Sequence, residues 1–254
     1  MLIVEPRGSV LNLTLDRPEV RNAFNDELIS RITEAFSLVA PKYRAVVLRG
    51  KGQAFCAGGD LTWMQKAVNY SEQENYEDAL KLAWMFSSMV NCRVPIIALI
   101  DGPTYGGGCG LVAASDIAIG TGNARFAFSE VKLGLVPATI APYVISKIGV
   151  GATKRYFTTG EPFTAETALR IGLLDELISS SAIEEKASEI LSHILNCGPN
   201  AVSLAKGLAQ QKDLTIEGTA QMIALARVSH EGQDGVRAFL ERRSASFVEE
   251  VEPK

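Results

Sequence analysis

Three short stretches of this chain carry residue types that can do chemistry together. Two are glycine turns, Ala57-Gly58-Gly59-Asp60 and Gly106-Gly107-Gly108, and the third is Glu130, an acid set beside Phe126 and Phe128. Each glycine turn opens a helix-forming run, so its first N–H groups lack intrahelical acceptors and carry partial positive charge. Two such turns brought together aim two donors at one point, which suits an oxygen on which negative charge grows. A carboxylate nearby can then move a proton at the adjacent carbon. A plain structural reading stays open beside this one, because glycine also lets a helix pack close to a sheet. Phosphate-loop readings are weak: Leu111 stands where a third fingerprint glycine belongs, and no lysine follows at a Walker position.

The elements that must hold these stretches are legible from periodicity. Residues 10–15 alternate like a strand with one buried face, and Asp16-Arg17-Pro18 ends it. Asn25 caps a helix striped by Leu28, Ile32, Phe36 and Val39, and residues 45–48 form a second strand. Ser71-Glu72-Gln73-Glu74 fits a capping box, opening a helix with Ala79, Leu82, Phe86 and Met89 on one side. Residues 96–100 read as a buried strand broken by Asp101-Gly102-Pro103, and residues 117–119 as another. Helices are expected over 139–148 and 152–157, then from Thr164 to a C-terminal stop at Gly172, before a short strand within 174–178. Helices alone follow, over 182–195, 200–210, 216–230 and 234–242. The pattern predicts an α/β core over residues 1–195 and a helical region over 196–254 in one compact unit.

Composition narrows the function classes. The chain has 254 residues, 47% hydrophobic and 21% charged, ordinary values for a globular protein with a real core. A net charge of −4 with no basic block gives nucleic acid and anionic membranes no footprint. No apolar run reaches the ~18 residues needed to span a bilayer, and residues 1–10 show no signal-peptide pattern. Cys56, Cys92, Cys109 and Cys197 lack paired spacing and read as free thiols of a reducing compartment, hence the cytoplasm. His193 and His230 have no ligand partners at metal spacing, and no metal site is expected. His193 reads as structural, and His230 with Glu231 as charge partners at a helix C-terminus. No G-x-S-x-G is present. Trp63, Met64, Trp84 and Met85 read as core, with Trp63 and Met64 also placed to line a pocket after the first glycine turn.

Ala54-Phe55-Cys56-Ala57-Gly58-Gly59-Asp60-Leu61, Gly106-Gly107-Gly108 and Phe126-x-x-x-Glu130, in this order, resemble the crotonase (enoyl-CoA hydratase/isomerase) superfamily. The resemblance runs from Leu15-Asp16-Arg17-Pro18 to Phe239-Leu240-Glu241-Arg242-Arg243. It implies a ββα superhelix whose C-terminal helical region mediates trimerisation, giving a homotrimer or a homohexamer built as a dimer of trimers. It also implies an acyl-CoA substrate and no separate cofactor, because coenzyme A arrives as part of that substrate. Carried over by position, the N–H groups of Gly59 and Gly107 form the oxyanion hole and Glu130 is the acid/base. Arg21, Ala23, Ala57, Gly58, Asp60, Leu61 and Gly110 fall on the substrate and CoA strip. Asp60 read on its own is a helix N-cap acid. Arg242 and Arg243 read as a solvated helix end or as a phosphate contact.

One departure divides the functional reading. The family's hydratases carry two glutamates, and the first position is Gly110 here. Moving a double bond between C2 and C4 needs only one such carboxylate, which favours an isomerase. The surrounding stretches instead resemble bacterial methylglutaconyl-CoA and carboxygeranoyl-CoA hydratases, where a glycine at this position can make room for a branched substrate. Enoyl-CoA hydration is the first expectation, isomerisation the second, and binding of acyl-CoA without turnover the third.

Overall fold

The computed structural model describes residues 1–211 and 213–252. A first hairpin pairs β1 (Leu2–Arg7) antiparallel with β2 (Val10–Leu15), turned by Gly8 at φ +51°. Asn25 accepts the Leu28 N–H and opens α1 (Asp26–Ser37), which buries Leu28, Ile29, Ile32 and Phe36 and stops short of Val39. β3 (Ala45–Gly50) leads through the first glycine turn into α2 (Leu61–Ala67). The Ser71–Glu74 capping box forms in both directions and starts α3 (Glu72–Val90). β4 (Ile96–Ile100) and β5 (Pro103–Tyr105) then precede α4 (Gly107–Ala114). Next come β6 (Ile117–Thr121), β7 (Arg125–Ala127) and α5 (Ala141–Thr159). Gly149, at φ 73° and ψ 164°, breaks α5 between the two helical segments that periodicity predicts. β8 (Phe163–Thr164), α6 (Ala165–Ile171) and β9 (Glu176–Ile178) close the α/β part, with Thr164 and Gly172 capping α6 as expected.

Five of the strands extend β1 into one sheet of order β1-β2-β3-β4-β6-β9, parallel from β2 onward. Helices cover both faces, so β4 is buried at every residue and reads as an unbroken apolar run. One face, carrying Leu13, Leu48, Ala98 and Ile100, packs on Phe24, Phe86 and Met89. The other, carrying Val10, Val47, Ile97, Leu99 and Ile119, packs on Ile183, Ala187 and Leu191 of α7 (Ile183–Leu195). β5, β7 and β8 form a second, three-stranded sheet. Phe163 stacks there on Phe126 and Tyr156, at 5.6 and 4.3 Å between ring centroids.

The C-terminal helices are α8 (Pro199–Gln210), α9 (Ile216–Val228) and α10 (His230–Glu241). The expected helix over 216–230 ends two residues early. Ser229 terminates α9 and caps α10 by accepting the Gly232 N–H. His230 and Glu231 therefore sit at a helix start rather than at a C-terminal end. Glu231 instead accepts the N–H groups of Asn200 and Ala201 at the start of α8. Lys206 of α8 is tied to the sheet by a 2.7 Å ion pair with Asp116 and a bond to the Val94 carbonyl. Arg44, its side chain 5% exposed, donates to the carbonyls of Phe247, Ile194 and Cys197 and pairs with Glu249 at 3.2 Å.

Candidate active site

Two parallel bridges bring the glycine turns together. Cys56 pairs with Thr104, so three residues further on Gly59 and Gly107 fall at equivalent positions of adjacent segments. A Cβ at Gly108 would lie 2.3 Å from the Cys56 carbonyl oxygen, and one at Gly58 3.0 Å from that of Tyr105. These glycines permit the close approach that the structural reading invoked. The second bridge pairs Phe24 with Gly59: Phe24 donates to the Gly58 carbonyl, and Asp60 donates to the Phe24 carbonyl. That alternation leaves the Gly59 N–H pointing away from the pairing. Gly107 is the first residue of α4, where the Gly106 carbonyl is taken by Cys109 and Gly110. Among the described residues neither Gly59 nor Gly107 has an acceptor for its N–H.

Glu130 follows β7 and begins a 3-10 turn over Glu130–Leu133. Its carboxylate lies over the second glycine turn, with Oε1 3.1 Å from where a Gly106 Cβ would be. Oε2 is buried and has no hydrogen-bond partner among the described residues. Burial pushes the Glu130 carboxyl above the usual carboxylate range, opposed only by a backbone hydrogen bond. A buried, unsatisfied carboxyl oxygen costs stability, so such groups gather where chemistry is done. The two free N–H groups and Glu130 open onto one cleft of about 370 Å³. Its apolar walls include Phe24, Trp63, Met64, Leu82, Leu133, Val136 and Ile140, and Asn75, Asp78 and Ser129 add polar groups. Such a site can hold a carbonyl oxygen that becomes an oxyanion, with a proton carrier beside it.

The expected strip divides between wall and support. Ala57, Gly58, Gly59, Gly107 and Glu130 line the cleft. Arg21, exposed and at φ 54°, accepts the Ala57 N–H on its carbonyl and so stands next to the first turn without lining the cleft. Ala23 is buried and gives its carbonyl to Arg17. Leu61 is 77% exposed and outside the cleft wall.

Asp60 lies behind the site. It accepts the Thr62 N–H as N-cap of α2 and pairs with Arg17 at 2.8 Å, both side chains largely buried. Burial alone would raise its pKa, but the Arg17 guanidinium and the Thr62 N–H outweigh burial and hold it below the usual range. We expect Asp60→Ala to cost on the order of 3 kcal/mol, by stranding Arg17 and removing a cap, read as a shift in denaturation midpoint. Because the folded-state value is depressed, that stabilisation is present at neutral pH and is lost as pH falls through it. An unchanged midpoint would refute the assignment.

Gly110 is buried and outside the cleft wall. A Cβ there would lie 2.3 Å from Ile140 Cγ2 and 2.8 Å from Phe86 Cζ. The space beside this glycine is filled by protein, so it opens no room for a substrate branch. Trp63 and Met64 line the cleft, Met85 is core, and Trp84 is 61% exposed instead of buried. The Cys56 thiol, fully buried, is pushed up to about 12, which removes it as a nucleophile. Residue-by-residue reading did not single out Asp78. It sits four positions before Leu82 of the helix stripe, and that spacing was the available signal.

The match to known proteins spans the chain. The enoyl-CoA hydratase/isomerase family pattern fits residues 5–250. A putative enoyl-CoA hydratase of Thermus thermophilus is 30% identical over 248 residues, covering 95% of this chain and 98% of the relative. The crystal structure of a putative enoyl CoA hydratase/isomerase (crotonase) from Legionella pneumophila superposes with a TM-score of 0.90 at 40% identity. That superposition covers 97% of this chain and 98% of the other. AtuE of Pseudomonas aeruginosa gives a TM-score of 0.94 at 32% identity over 98% and 99% of the two chains. With its two bridged glycine turns and the acid that follows them, the chain belongs to the enoyl-CoA hydratase/isomerase (crotonase) family.

Proposed function

We propose that this enzyme adds water across the C2=C3 bond of an α,β-unsaturated acyl-CoA. One observation carries the reading: the unpaired N–H groups of Gly59 and Gly107 and the buried Glu130 carboxyl share one cleft. The thioester oxygen is seated between the two N–H donors. When water attacks C3, electrons move onto that oxygen, and fixed donors stabilise the enolate more than the ground state. One such donor is worth about 3–4 kcal/mol of barrier, and a placed acid/base about 10²–10⁴-fold. Glu130 serves C2, giving it a proton as the enolate collapses. Ala57, Gly58 and the neighbouring Arg21 strip meet the CoA portion, and the charge on the enolate needs no metal or redox group.

The apolar walls suit a hydrocarbon acyl chain. A branched, methylglutaconyl-like chain would set a second carboxylate in a cleft that already holds Glu130 and Asp78, with no Lys, Arg or His among its described lining. The apolar side chains exposed on α9 and α10, including Ile216, Val228, Phe239 and Leu240, support assembly into trimers through residues 196–254. A second reading, double-bond isomerisation, rests on the absence of an acid at Gly110.

Product mass decides between them. We would incubate the enzyme with crotonyl-CoA, 3-methylglutaconyl-CoA and a straight 3-enoyl-CoA. A gain of one water on either of the first two establishes hydration, and the preferred substrate assigns the acyl class. Unchanged mass with a moved double bond on the third, and no water gained elsewhere, makes it an isomerase. No change in any leaves a binder.

A further inference from the structure

Hydration needs two proton positions, one at C2 and one on the incoming water. Glu130 covers the first. The second has no side chain at Gly110, and Phe86 and Ile140 occupy the space beside it. The cleft nevertheless holds another carboxyl. Asp78 lies on α3, half-buried, on the helix face that also turns Asn75, Ala79 and Leu82 into the same cleft as Glu130. These two acids are the ionisable groups of the described lining. Asp78 is held in place, because the Trp63 indole N–H donates to its Oδ1 at 3.2 Å. Trp63 itself follows the first glycine turn, so the bond ties the acid to the segment that carries the Gly59 N–H. Burial raises the Asp78 carboxyl and the nearby Asp26 raises it further, while Trp63 and Lys81 oppose the shift.

Resting on the hydratase reading above, we infer that Asp78 is the second proton-handling group of the site and takes the place of the acid absent at Gly110. As a carboxylate, Asp78 accepts a hydrogen bond from the water poised at C3. The water oxygen bonds to C3 and its proton passes to Asp78, while the C2=C3 π electrons move onto the thioester oxygen as the enolate. The enolate collapses and takes the proton of the Glu130 carboxylic acid at C2. The product has gained one water. Asp78 is left protonated and Glu130 ionised, and one proton transfer between them through cleft water restores the starting state.

Asp78→Asn tests this, since asparagine keeps the acceptor for Trp63 and loses the base. Two rates are read on the purified enzyme: hydration of the preferred enoyl-CoA, and solvent-deuterium exchange at C2 of the saturated acyl-CoA. Exchange calls on Glu130 and the oxyanion donors alone. We expect hydration to fall about 10²-fold or more, exchange to change less than about threefold, and Asp78→Glu to recover part of the hydration. Hydration within about threefold of wild type would overturn the inference. So would a parallel loss of both rates, which marks a structural role. Wild-type enzyme that exchanges at C2 but hydrates no enoyl-CoA would overturn the hydratase reading itself, before Asp78 is tested.

Discussion

Glu130→Gln is expected to lower turnover by about 10²-fold or more and to leave acyl-CoA affinity within about threefold, because it removes the proposed proton carrier. The affinity should survive because the N–H groups of Gly59 and Gly107 and the apolar walls are untouched by the change. The same substitution should make the protein more stable at neutral pH. The Glu130 carboxyl is raised in the folded state by burial. Its proton is therefore bound more tightly in the folded chain, and its contribution is fully favourable at low pH. That contribution is lost as pH rises through the raised value. Glutamine does not ionise and avoids the loss, so the stability gap should open from acid toward neutral pH. Hydration by the wild-type enzyme should fall as pH rises through the raised Glu130 value, because the protonated carboxyl is the form that donates at C2. Steady-state rates across pH, titration with a non-reacting acyl-CoA and melting curves at two pH values check these four outcomes. Turnover within threefold of wild type would end the assignment.

Gly110→Glu, the substitution that writes the missing acid back in, should damage the fold instead of improving the enzyme. The added Cβ alone would fall 2.3 Å from Ile140 and 2.8 Å from Phe86. Both of those side chains are essentially unexposed and have packed neighbours behind them. Overpacking of this kind costs about 1–3 kcal/mol, and enclosing a carboxylate among apolar groups adds to it. We expect a loss of more than about 3 kcal/mol by denaturant titration and no gain in hydration. Combining it with Ile140→Ala should recover part of the stability by vacating the clash. A single Gly110→Glu protein as stable as wild type would show that Ile140 and Phe86 yield freely, and that the glycine is not enforced by packing.

Much of this scaffold was legible in the chain. Residues 96–100 announce a strand buried on both faces, and Asn25, Ser71, Thr164 and Gly172 mark helix ends because capping is decided by a few neighbouring residues. What escaped is what short windows do not hold. β5 and β7 have three residues each, too few for a period, and Pro103 opens β5 inside what reads as a turn. β1 carries Glu5, Pro6 and Arg7 on an edge strand, where an alternating apolar pattern is not required. Trp84 and Met85 are adjacent, yet one is exposed and the other buried, since each step along a helix turns about 100°. The glycine turns were visible, but their alignment depends on bridges between segments about 48 residues apart. The departure at Gly110 was equally visible. Its meaning was not, because Phe86 and Ile140 reach it from elements 24 and 30 residues away. Asp78 was hidden for a related reason: its helix stripe reads as core until the cleft shows that its first turns line a cavity.

The setting of Arg44 has a consequence for how the chain is made. Its guanidinium is enclosed by the carbonyls of Ile194, Leu195, Cys197 and Phe247 and by Glu249, and the carboxylate that faces it lies 205 residues downstream. During synthesis β3 and its neighbours leave the ribosome long before that carboxylate has been polymerised. A cation of the growing core thus waits, solvated, until Phe247 and Glu249 have been made. Closing so long a loop brings its reward only at the end. The segment carrying Phe247 and Glu249 therefore acts as a latch: the surroundings of Arg44 are complete only when that segment has docked.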